Sequence, residues 1–282
     1  MAIERIAVIG AGTMGHGIAQ VAAQAGYSTV LCDINEALIV AGLENIAANL
    51  QQGVERGKVD AGDAAAARQR IDTTTDLDAL GDVDMVIEAI PEDLDLKRAT
   101  FARLERACAP DTVFATNTSS LSVAAIAAGL SDPGRLLGTH FFNPVHLMKL
   151  IEIVRHEATP DEVVDRAVAV GKAMGKTPII VRDSPGFASS RLGVVLGLEA
   201  MRMVEQGVAT PADIDTAMEL GYRHPMGPLK LTDLVGLDVR LAIARYLHAE
   251  LASEAFRPPA ILERMVEEGR LGKKVGRGFY EW

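Results

Sequence analysis

The sequence predicts an α/β fold: a doubly wound, mainly parallel β-sheet followed by an all-helical C-terminal domain. Short apolar runs alternate with longer helical patterns over about the first 180 residues, which is typical of parallel strands connected by helices. Several of these runs are rich in Val and Ile without regular polar alternation, as in strands that are buried on both faces. After residue 182 only helical patterns remain.

The elements of the first part follow from these patterns. A helix is expected over residues 13–25, directly after the first strand. Residues 35–70 are too many for one crossover helix, and Gly53, Gly57 and Gly62 interrupt them, so we expect two helices there. Strands are predicted at residues 5–9, 28–32, 84–89, 112–115, 136–142, 150–154 and 178–181.

A turn signal marks the predicted boundary between two domains. Residues 183–186 read Asp-Ser-Pro-Gly, a combination that ends regular structure, and 282 residues are enough for two domains. The sequence therefore predicts one domain over residues 1–183 and a helical one over residues 184–282. Helices of the second domain are predicted at residues 187–206, 211–219, 229–251 and 258–268.

The predicted helix over residues 187–204 is apolar around nearly its whole circumference. Its apolar side chains include Leu192, Val194, Val195, Leu196, Leu198, Met201 and Met203. A helix that is apolar all round is buried on all sides, and a helical domain of about 100 residues has little surface with which to bury it. We therefore expect a homodimer that forms through the C-terminal domain.

Composition and charge exclude several classes of protein. The formal net charge is −10, which argues against nucleic acid as a partner. The two cysteines, Cys32 and Cys108, match no metal-ligand or redox spacing, so we expect no metal site and a reduced compartment. The chain starts directly with a strand pattern and has no run of about 20 apolar residues. We therefore expect no signal peptide and no membrane span, and a cytoplasmic location.

A glycine-rich loop carries the strongest local signal. Residues 10–15 read GAGTMG, with an apolar strand before them and a helical pattern after them, which is the context that a dinucleotide-binding βαβ unit requires. Gly10 permits the tight turn, Gly12 lets a pyrophosphate approach the backbone, and Gly15 lets the helix pack on the strand. The loop therefore predicts a Rossmann-type domain, and a glycine turn without a ligand is the alternative.

An acidic residue after the second strand selects the cofactor. Asp33 lies at the end of that strand, where a carboxylate accepts hydrogen bonds from the adenosine ribose and repels a 2′-phosphate. Ile34 and Asn35 follow it, so no basic residue is at hand to bind a 2′-phosphate. The sequence thus predicts NAD rather than NADP.

Polar residues follow the later strands and suggest an alcohol oxidation site. Ser119, His140 and Glu152 lie near predicted strand ends, which is where ligands bind in doubly wound sheets. Oxidation of an alcohol by a nicotinamide needs a base for the hydroxyl proton, and a histidine oriented by a carboxylate supplies one.

Each of these residues also has a simpler explanation when it is taken alone. A histidine in an apolar run is commonly structural. Ser119 and Ser120 could cap a helix that starts near Leu121, and Asn143 before Pro144 is typical of a turn.

The motifs together resemble the L-3-hydroxyacyl-CoA dehydrogenase family, in particular the short bacterial 3-hydroxybutyryl-CoA dehydrogenases. The resemblance extends over essentially the whole chain, in order and with matching spacing. The motifs that carry it are GAGTMG (10–15), EAIPED (88–93), NTSSL (117–121), HFFNP (140–144), SPGF (184–187), RHPMGPL (223–229) and GKKVGRGFY (272–280).

The resemblance implies roles for individual residues. His140 is expected to be the catalytic base, Glu152 its orienting partner, and Ser119 a hydrogen-bond donor to the substrate 3-oxygen. The family fold adds a helical C-terminal domain that serves substrate binding and dimerisation. The residues expected to line the NAD site are Gly10, Gly12, Thr13, Met14, Gly15, Asp33, Ala89, Glu92, Lys97, Asn117 and Asn143.

One position departs from the family pattern. Members carry an asparagine that assists substrate binding and catalysis a few residues after PGF, and Ser190 stands there in this chain. Serine keeps a donor and an acceptor but is shorter, so either Ser190 replaces the asparagine or the substrate is not an acyl-CoA; the other motifs favour the first. For the substrate we also expect contacts from Asn143 and, for the CoA phosphates, from Arg56, although a solvated helix end explains Arg56 equally well.

The predicted function is the reversible NAD-dependent oxidation of the 3-hydroxyl of a short-chain (S)-3-hydroxyacyl-CoA, with 3-hydroxybutyryl-CoA and acetoacetyl-CoA as the pair, a step of fatty acid metabolism. A dehydrogenase of a free 3-hydroxy acid is one alternative, and Ser190 motivates it. A non-catalytic dinucleotide-binding protein is the other. Ser119, His140 and Glu152 argue against this one, because a protein that only binds needs no base.

Overall fold

The computed structural model describes residues 3–282, which form two compact units that divide between Ser184 and Pro185. The first unit contains the sheet and the second contains helices. The division lies one residue after the predicted boundary, and the roles expected for the two parts remain predictions.

An eight-stranded sheet with the order β3-β2-β1-β4-β5-β6-β7-β8 forms the first unit. All neighbouring strands run parallel except β6 and β7, which are antiparallel. The predicted Rossmann-type, mainly parallel sheet is thereby confirmed. The strands are β1 (Arg5–Ile9), β2 (Ser28–Cys32), β3 (Ile71–Thr74), β4 (Met85–Glu88), β5 (Val113–Thr116), β6 (Leu136–Phe141), β7 (Leu150–Arg155) and β8 (Thr177–Arg182).

The two edge strands differ from the prediction. β3 was not predicted; its residues Ile-Asp-Thr-Thr pair in parallel with β2. Its polar residues form no apolar run, because an edge strand is buried on fewer sides. β8 was predicted as a strand from an apolar run of the kind seen in buried strands, yet its side chains are exposed or half-buried and Ile180 is 56 % exposed. An apolar run alone does not distinguish an edge strand from a central one.

Six α-helices connect the strands of the first unit within the described residues. The two helices expected between residues 35 and 70 are both present. The helix expected over residues 13–25 begins only at Gly15. The helices are α1 (Gly15–Gln24), α2 (Glu36–Glu55), α3 (Ala61–Gln69), α4 (Leu94–Ala107), α5 (Val123–Ala127) and α6 (Asp161–Ala173).

Short polar side chains fix where these helices start. Asn35, Asp60 and Asp93 each accept a hydrogen bond from a backbone amide in the first turn of α2, α3 and α4, respectively, which satisfies donors that have no partner within the helix. The central strands and α1 share one apolar core that includes Val8, Ile87 and Leu137. The carboxyl ends of the strands are therefore held rigidly.

The second unit is built from five helices in the described residues. They are α7 (Ser189–Glu205), α8 (Pro211–Thr216), α9 (Pro228–Val235), α10 (Leu237–Leu251) and α11 (Ala260–Glu267). The single helix expected over residues 229–251 is wrong. Gly236 separates α9 from α10 with a φ of +102°, a conformation that glycine adopts readily and that interrupts a helix. A π-helical turn at Ala217–Gly221 follows α8.

The all-round burial expected for α7 is not observed within one chain. Val194, Leu198 and Met201 are buried in the core of the second unit, but Leu192 is 63 % exposed. One copy of the chain therefore buries only part of the apolar surface of α7. None of the helices in residues 3–282 combines the length and the apolar character that crossing a membrane requires.

Candidate active site

Parallel neighbours in the sheet bring three strand ends to one edge. β4, β5 and β6 are parallel and adjacent, and they end at Glu88, Thr116 and Phe141. Ligands of doubly wound sheets bind outside the carboxyl ends of the strands. The residues predicted for the site that lie within or directly after these ends are Ala89, Glu92, Asn117, Ser119, His140 and Asn143.

The glycine loop lies between β1 and α1 and has the shape that a dinucleotide needs. A Cβ on Gly10, where φ is +95°, would lie 2.7 Å from the carbonyl oxygen of Ala89, and one on Gly15 would lie 1.6 Å from the oxygen of Gly10. No atom lies within 4 Å of the position of a Cβ on Gly12. The loop is therefore packed tightly where it meets β4 and α1 and is open at Gly12, where a pyrophosphate can approach the backbone.

Asp33 follows β2 directly and joins it to the glycine loop. Its Oδ2 accepts a 2.6 Å hydrogen bond from the amide of Ala11, and its Oδ1 accepts one of 2.6 Å from the amide of Ile34. Thr13 is exposed and Met14 half-buried in the same loop. The carboxylate thus lies beside the turn where the adenosine ribose of a dinucleotide is expected, and its charge opposes a 2′-phosphate there.

His140 and Glu152 form a buried pair across β6 and β7. They are direct partners in the antiparallel register, so their side chains lie on the same face of the sheet. His140 Nδ1 lies 2.7 Å from Glu152 Oε2, and the two side chains are 7 % and 0 % exposed. The ring of Phe142 packs at 4.6 Å from the imidazole, centre to centre. A carboxylate on Nδ1 fixes both the orientation and the tautomer of the imidazole.

Asn117 connects two of the strand ends. Its backbone amide donates to the carbonyl of Glu88 at 2.8 Å, and its Oδ1 accepts a 2.9 Å hydrogen bond from the amide of Phe141. The side chain is buried. Asn117 therefore holds the chain immediately after His140 against the end of β5.

The carboxylate of Glu92 organises the segment after β5. Oε1 accepts hydrogen bonds from Thr118 Oγ1 at 2.6 Å, from the amides of Ser119 and Ser120 at 3.0 Å each, and from Ser120 Oγ at 3.1 Å. Burial would raise the pKa of Glu92, but the hydrogen bond from Thr118, the charge of Lys97 and the two amides outweigh it and lower that pKa. The carboxylate is therefore ionised at neutral pH.

Ser119 is exposed at this edge, with its backbone fixed by Glu92. The alternative that Ser119 and Ser120 cap a helix is wrong. The helix that follows, α5, begins at Val123, and Ser122 caps it by accepting a hydrogen bond from the amide of Ala125 at 3.2 Å.

Lys97 lies beneath these loops rather than at the surface. Its side chain is 1 % exposed, and its ammonium lies 2.6 Å from Glu88 Oε1 and 3.5 Å from Glu92 Oε2. Lys97 was predicted to line the cofactor site; in the structure its ammonium faces two carboxylates.

A second buried lysine holds the loop after β6. The ammonium of Lys176 donates hydrogen bonds to the carbonyl oxygens of Val145 and, at 2.8 Å, Met148. Burial, with a smaller contribution from Lys149, lowers the pKa of Lys176 to about 8. Asn143 lies exposed at the start of this loop.

Two further residues expected at the acyl-CoA, Arg56 and Ser190, belong to helices rather than to the strand ends. Arg56 is exposed at the C-terminus of α2. Ser190 is half-buried in the first turn of α7, in the second unit. Their contacts with substrate remain predictions.

Three residues that hydrogen-bond within this cluster, Glu88, Thr116 and Thr118, were not predicted as site residues. Glu88 ends a strand that is otherwise apolar, and Lys97 follows nine positions later, in the first turn of a helix. An acid at a buried strand end followed by a lysine is the signal that would have revealed the pair.

The comparisons with known proteins agree with this geometry. Residues 5–184 match the family described as 3-hydroxyacyl-CoA dehydrogenase, NAD binding domain, and residues 186–282 match 3-hydroxyacyl-CoA dehydrogenase, C-terminal domain. The two matches together span almost the whole chain.

Individual relatives match from end to end. A Bacillus subtilis protein named "Probable 3-hydroxybutyryl-CoA dehydrogenase" is 43 % identical, over 100 % of this chain and 98 % of its own length. The 3-hydroxybutyryl-CoA dehydrogenase of Mycobacterium tuberculosis is 44 % identical, over 100 % and 99 %. The crystal structure of (S)-3-hydroxybutyryl-CoA dehydrogenase from Ralstonia eutropha matches with a TM-score of 0.96 and 39 % identity, over 100 % and 99 %. The chain therefore belongs to the 3-hydroxyacyl-CoA dehydrogenase family, and its cofactor is NAD.

Proposed function

We propose that the protein catalyses the reversible NAD-dependent oxidation of (S)-3-hydroxybutyryl-CoA to acetoacetyl-CoA. The observation that carries the proposal is the buried His140–Glu152 pair at the sheet edge that also bears the glycine loop. A protein that only binds a dinucleotide has no use for an imidazole oriented by a buried carboxylate. The names of the relatives in B. subtilis, M. tuberculosis and R. eutropha support the substrate.

The proton is handled by His140. Because Glu152 occupies Nδ1, Nε2 is the atom that takes the proton of the substrate 3-hydroxyl, and Glu152 stabilises the imidazolium that forms. In the reverse direction His140 returns this proton to the 3-oxygen. NAD, when bound, supplies the hydride acceptor.

Ser119 holds the substrate 3-oxygen. It is exposed beside the end of β5, and its hydroxyl can donate a hydrogen bond to the oxygen on which negative charge develops during reduction. Asn143 and Arg56 are proposed to contact the acyl-CoA, Arg56 through the CoA phosphates. The cofactor residues proposed are those of the glycine loop with Asp33, Ala89, Glu92, Asn117 and Asn143.

Ser190 favours a second candidate, a dehydrogenase that acts on free 3-hydroxy acids. Steady-state rates of NADH oxidation with acetoacetyl-CoA and with free acetoacetate distinguish the two. We expect kcat/KM to be at least about 100-fold higher for the thioester, because binding energy from the CoA moiety is used in the transition state. Faster turnover of acetoacetate would show that the second candidate is correct. If neither compound were turned over, the protein would be one that only binds a dinucleotide.

We further propose that the protein is a homodimer formed through the second unit. The exposed apolar side of α7 supports this, since Leu192 is 63 % exposed. Sedimentation equilibrium should give twice the chain mass of 30.0 kDa. A monomer at micromolar concentration would contradict the dimer.

A further inference from the structure

A fully buried carboxylate lies directly beneath the candidate site. Glu88 ends β4, and its side chain is 0 % exposed. Its Oε1 accepts hydrogen bonds from Lys97 Nζ at 2.6 Å and from the amide of Ile90 at 2.8 Å, and its Oε2 accepts one from Thr116 Oγ1 at 2.7 Å. The three donors lie at the end of β5, in the first turn of α4 and in the loop between β4 and α4, which frame the site.

The charge of Lys97 is shared between two carboxylates. The ammonium lies 2.6 Å from Glu88 and 3.5 Å from Glu92, and 3.4 Å from the carbonyl oxygen of Ile90. Burying such a pair costs desolvation, and apolar side chains of similar volume would stabilise the fold equally well or better. Stability alone therefore does not explain why the pair is present.

The Glu88–Lys97 pair is connected through Glu92 to the segment that carries Ser119. Glu92 is the partner of Lys97 nearest to the solvent, with 38 % of its side chain exposed. Its other oxygen accepts hydrogen bonds from Thr118, Ser119 and Ser120. These three residues lie outside helices and strands, so the geometry of Ser119 depends on this carboxylate.

We propose that Glu88 is a positioning residue of the dehydrogenase. Glu88, itself held by the hydroxyl of Thr116, fixes the ammonium of Lys97. Lys97 holds Glu92 in place, and Glu92 in turn fixes the backbone of Ser119 under the substrate oxygen. This inference rests on the proposed function, because the position of Ser119 affects the reaction only if Ser119 binds the substrate.

Two near-isosteric variants separate positioning from stability. Glu88→Gln removes one buried charge and keeps the volume. The double variant Glu88→Gln with Lys97→Met removes both charges, so neither buried partner is left uncompensated. If Glu88 acts by positioning, kcat with acetoacetyl-CoA falls about 30- to 100-fold in both variants, as a displacement of about 1 Å implies. KM for acetoacetyl-CoA should change less than kcat, and the double variant should unfold close to the wild-type midpoint temperature.

A matched control comes from the same helix. Arg103 of α4 pairs with Asp78 at 2.7 Å, and the two side chains are 43 % and 62 % exposed. The double variant Asp78→Asn with Arg103→Met removes an ion pair of the same kind from an exposed position. We expect its kcat to stay within about twofold of wild type, since exposed ion pairs contribute little.

Amide hydrogen exchange supplies a readout that does not depend on turnover. The amides of Ser119 and Ser120 donate to Glu92, so a peptide that spans residues 117–122 should exchange faster in the two Glu88 variants than in wild type. Retention of wild-type kcat, or unchanged exchange in this peptide, would overturn the proposal. Lack of wild-type activity on acetoacetyl-CoA would instead refute the proposed function, and the exchange data would still decide whether Glu88 positions the loop.

Discussion

His140 and Glu152 face each other across the antiparallel pair β6–β7, with 2.7 Å between Nδ1 and Oε2. The reversal of strand direction at this pair places the two residues in register although they are twelve positions apart in the chain. Because both side chains are buried, water cannot compete for the carboxylate, and the imidazole keeps one orientation. An imidazole of fixed orientation is thus held at the sheet edge that carries the glycine loop.

Changing Asp33 should relax the choice of cofactor. Asp33→Asn keeps an oxygen that can accept from the amide of Ala11 but removes the negative charge beside the ribose site. We expect the ratio of kcat/KM for NADP⁺ to that for NAD⁺ to rise at least about 10-fold, since one full charge no longer opposes the 2′-phosphate. Steady-state kinetics with both cofactors measure this ratio, and Asp165→Asn, at an exposed position on α6, serves as the control. Wild-type protein that prefers NADP⁺ would contradict the role of Asp33.

Ser190 is expected to perform part of the role of the asparagine that other family members have at this position. Ser190→Ala is expected to lower kcat/KM for acetoacetyl-CoA about 10-fold, because one hydrogen bond to a substrate atom that bears or develops charge is lost. Ser190→Asn should retain or raise it. The comparison uses steady-state kinetics in the direction of NADH oxidation. If Ser190→Ala left kcat and KM unchanged, Ser190 would have no part in the site.

Lys176 should make the free energy of unfolding depend on pH in the alkaline range. Its pKa in the folded protein is about 8 against an ordinary 10.5, so between these values the unfolded state binds more protons and the free energy of unfolding rises with pH. Below pH 8 the buried lysine is charged in both states, and its full desolvation penalty applies.

The variant Lys176→Met has no such titration. The free energy of unfolding of wild type minus that of Lys176→Met should therefore increase from pH 8 to 10.5 and be flat below pH 8. Urea unfolding followed by circular dichroism measures it, with Lys172→Met, at an exposed position, as the control. A difference that is constant over this range would show that the pKa of Lys176 is ordinary.

Asp233 should hold the C-terminal segment in place. This buried carboxylate accepts hydrogen bonds from the amides of Phe279 and Tyr280 and from Trp282 Nε1, each at 2.9 Å. Asp233→Asn replaces one acceptor oxygen with an amide NH₂ that faces other donors, and is expected to cost about 2–4 kcal/mol. Asp238→Asn, which breaks the exposed pair with Lys274, should cost at most about 1 kcal/mol.

Fluorescence measures this effect directly, because Trp282 is the one tryptophan of the sequence. In Asp233→Asn its emission should shift to the red before global unfolding, as the segment leaves its site. If the unfolding midpoint and the Trp282 emission of Asp233→Asn were the same as those of Asp238→Asn, residues 272–280 would have a role other than anchoring the C-terminal segment.

The parts of the fold that depend on local chemistry could be predicted from the sequence. The glycine loop, the buried central strands and the two helices after residue 35 follow from turn residues and apolar periodicity, which are local properties. The edge strand β3 was missed because its Thr and Asp side chains carry no apolar signal. The break at Gly236 was missed because a lone glycine inside a helical pattern is often tolerated.

The candidate site could be predicted in part for the same reason. His140 and Glu152 were predicted from their positions near strand ends and from the family resemblance, and their contact depends on the cross-strand register. The buried network of Glu88, Lys97 and Glu92 depends on which strand end lies beside which helix, and that arrangement exists only in three dimensions. Taken alone, a lysine in a polar helix gives no sign in sequence that it is fully buried; only the acid that ends the apolar strand nine positions before it indicates a buried partner.

The variant His140→Gln tests the central claim, that His140 is the base of an NAD-dependent 3-hydroxyacyl-CoA dehydrogenase. NADH binding by fluorescence titration and the rate of acetoacetyl-CoA reduction should be measured on wild type and variant in parallel. We predict an unchanged Kd for NADH and a loss of kcat of at least about 10³-fold, because both the proton donor and its orientation are removed. A kcat within tenfold of wild type would contradict the account.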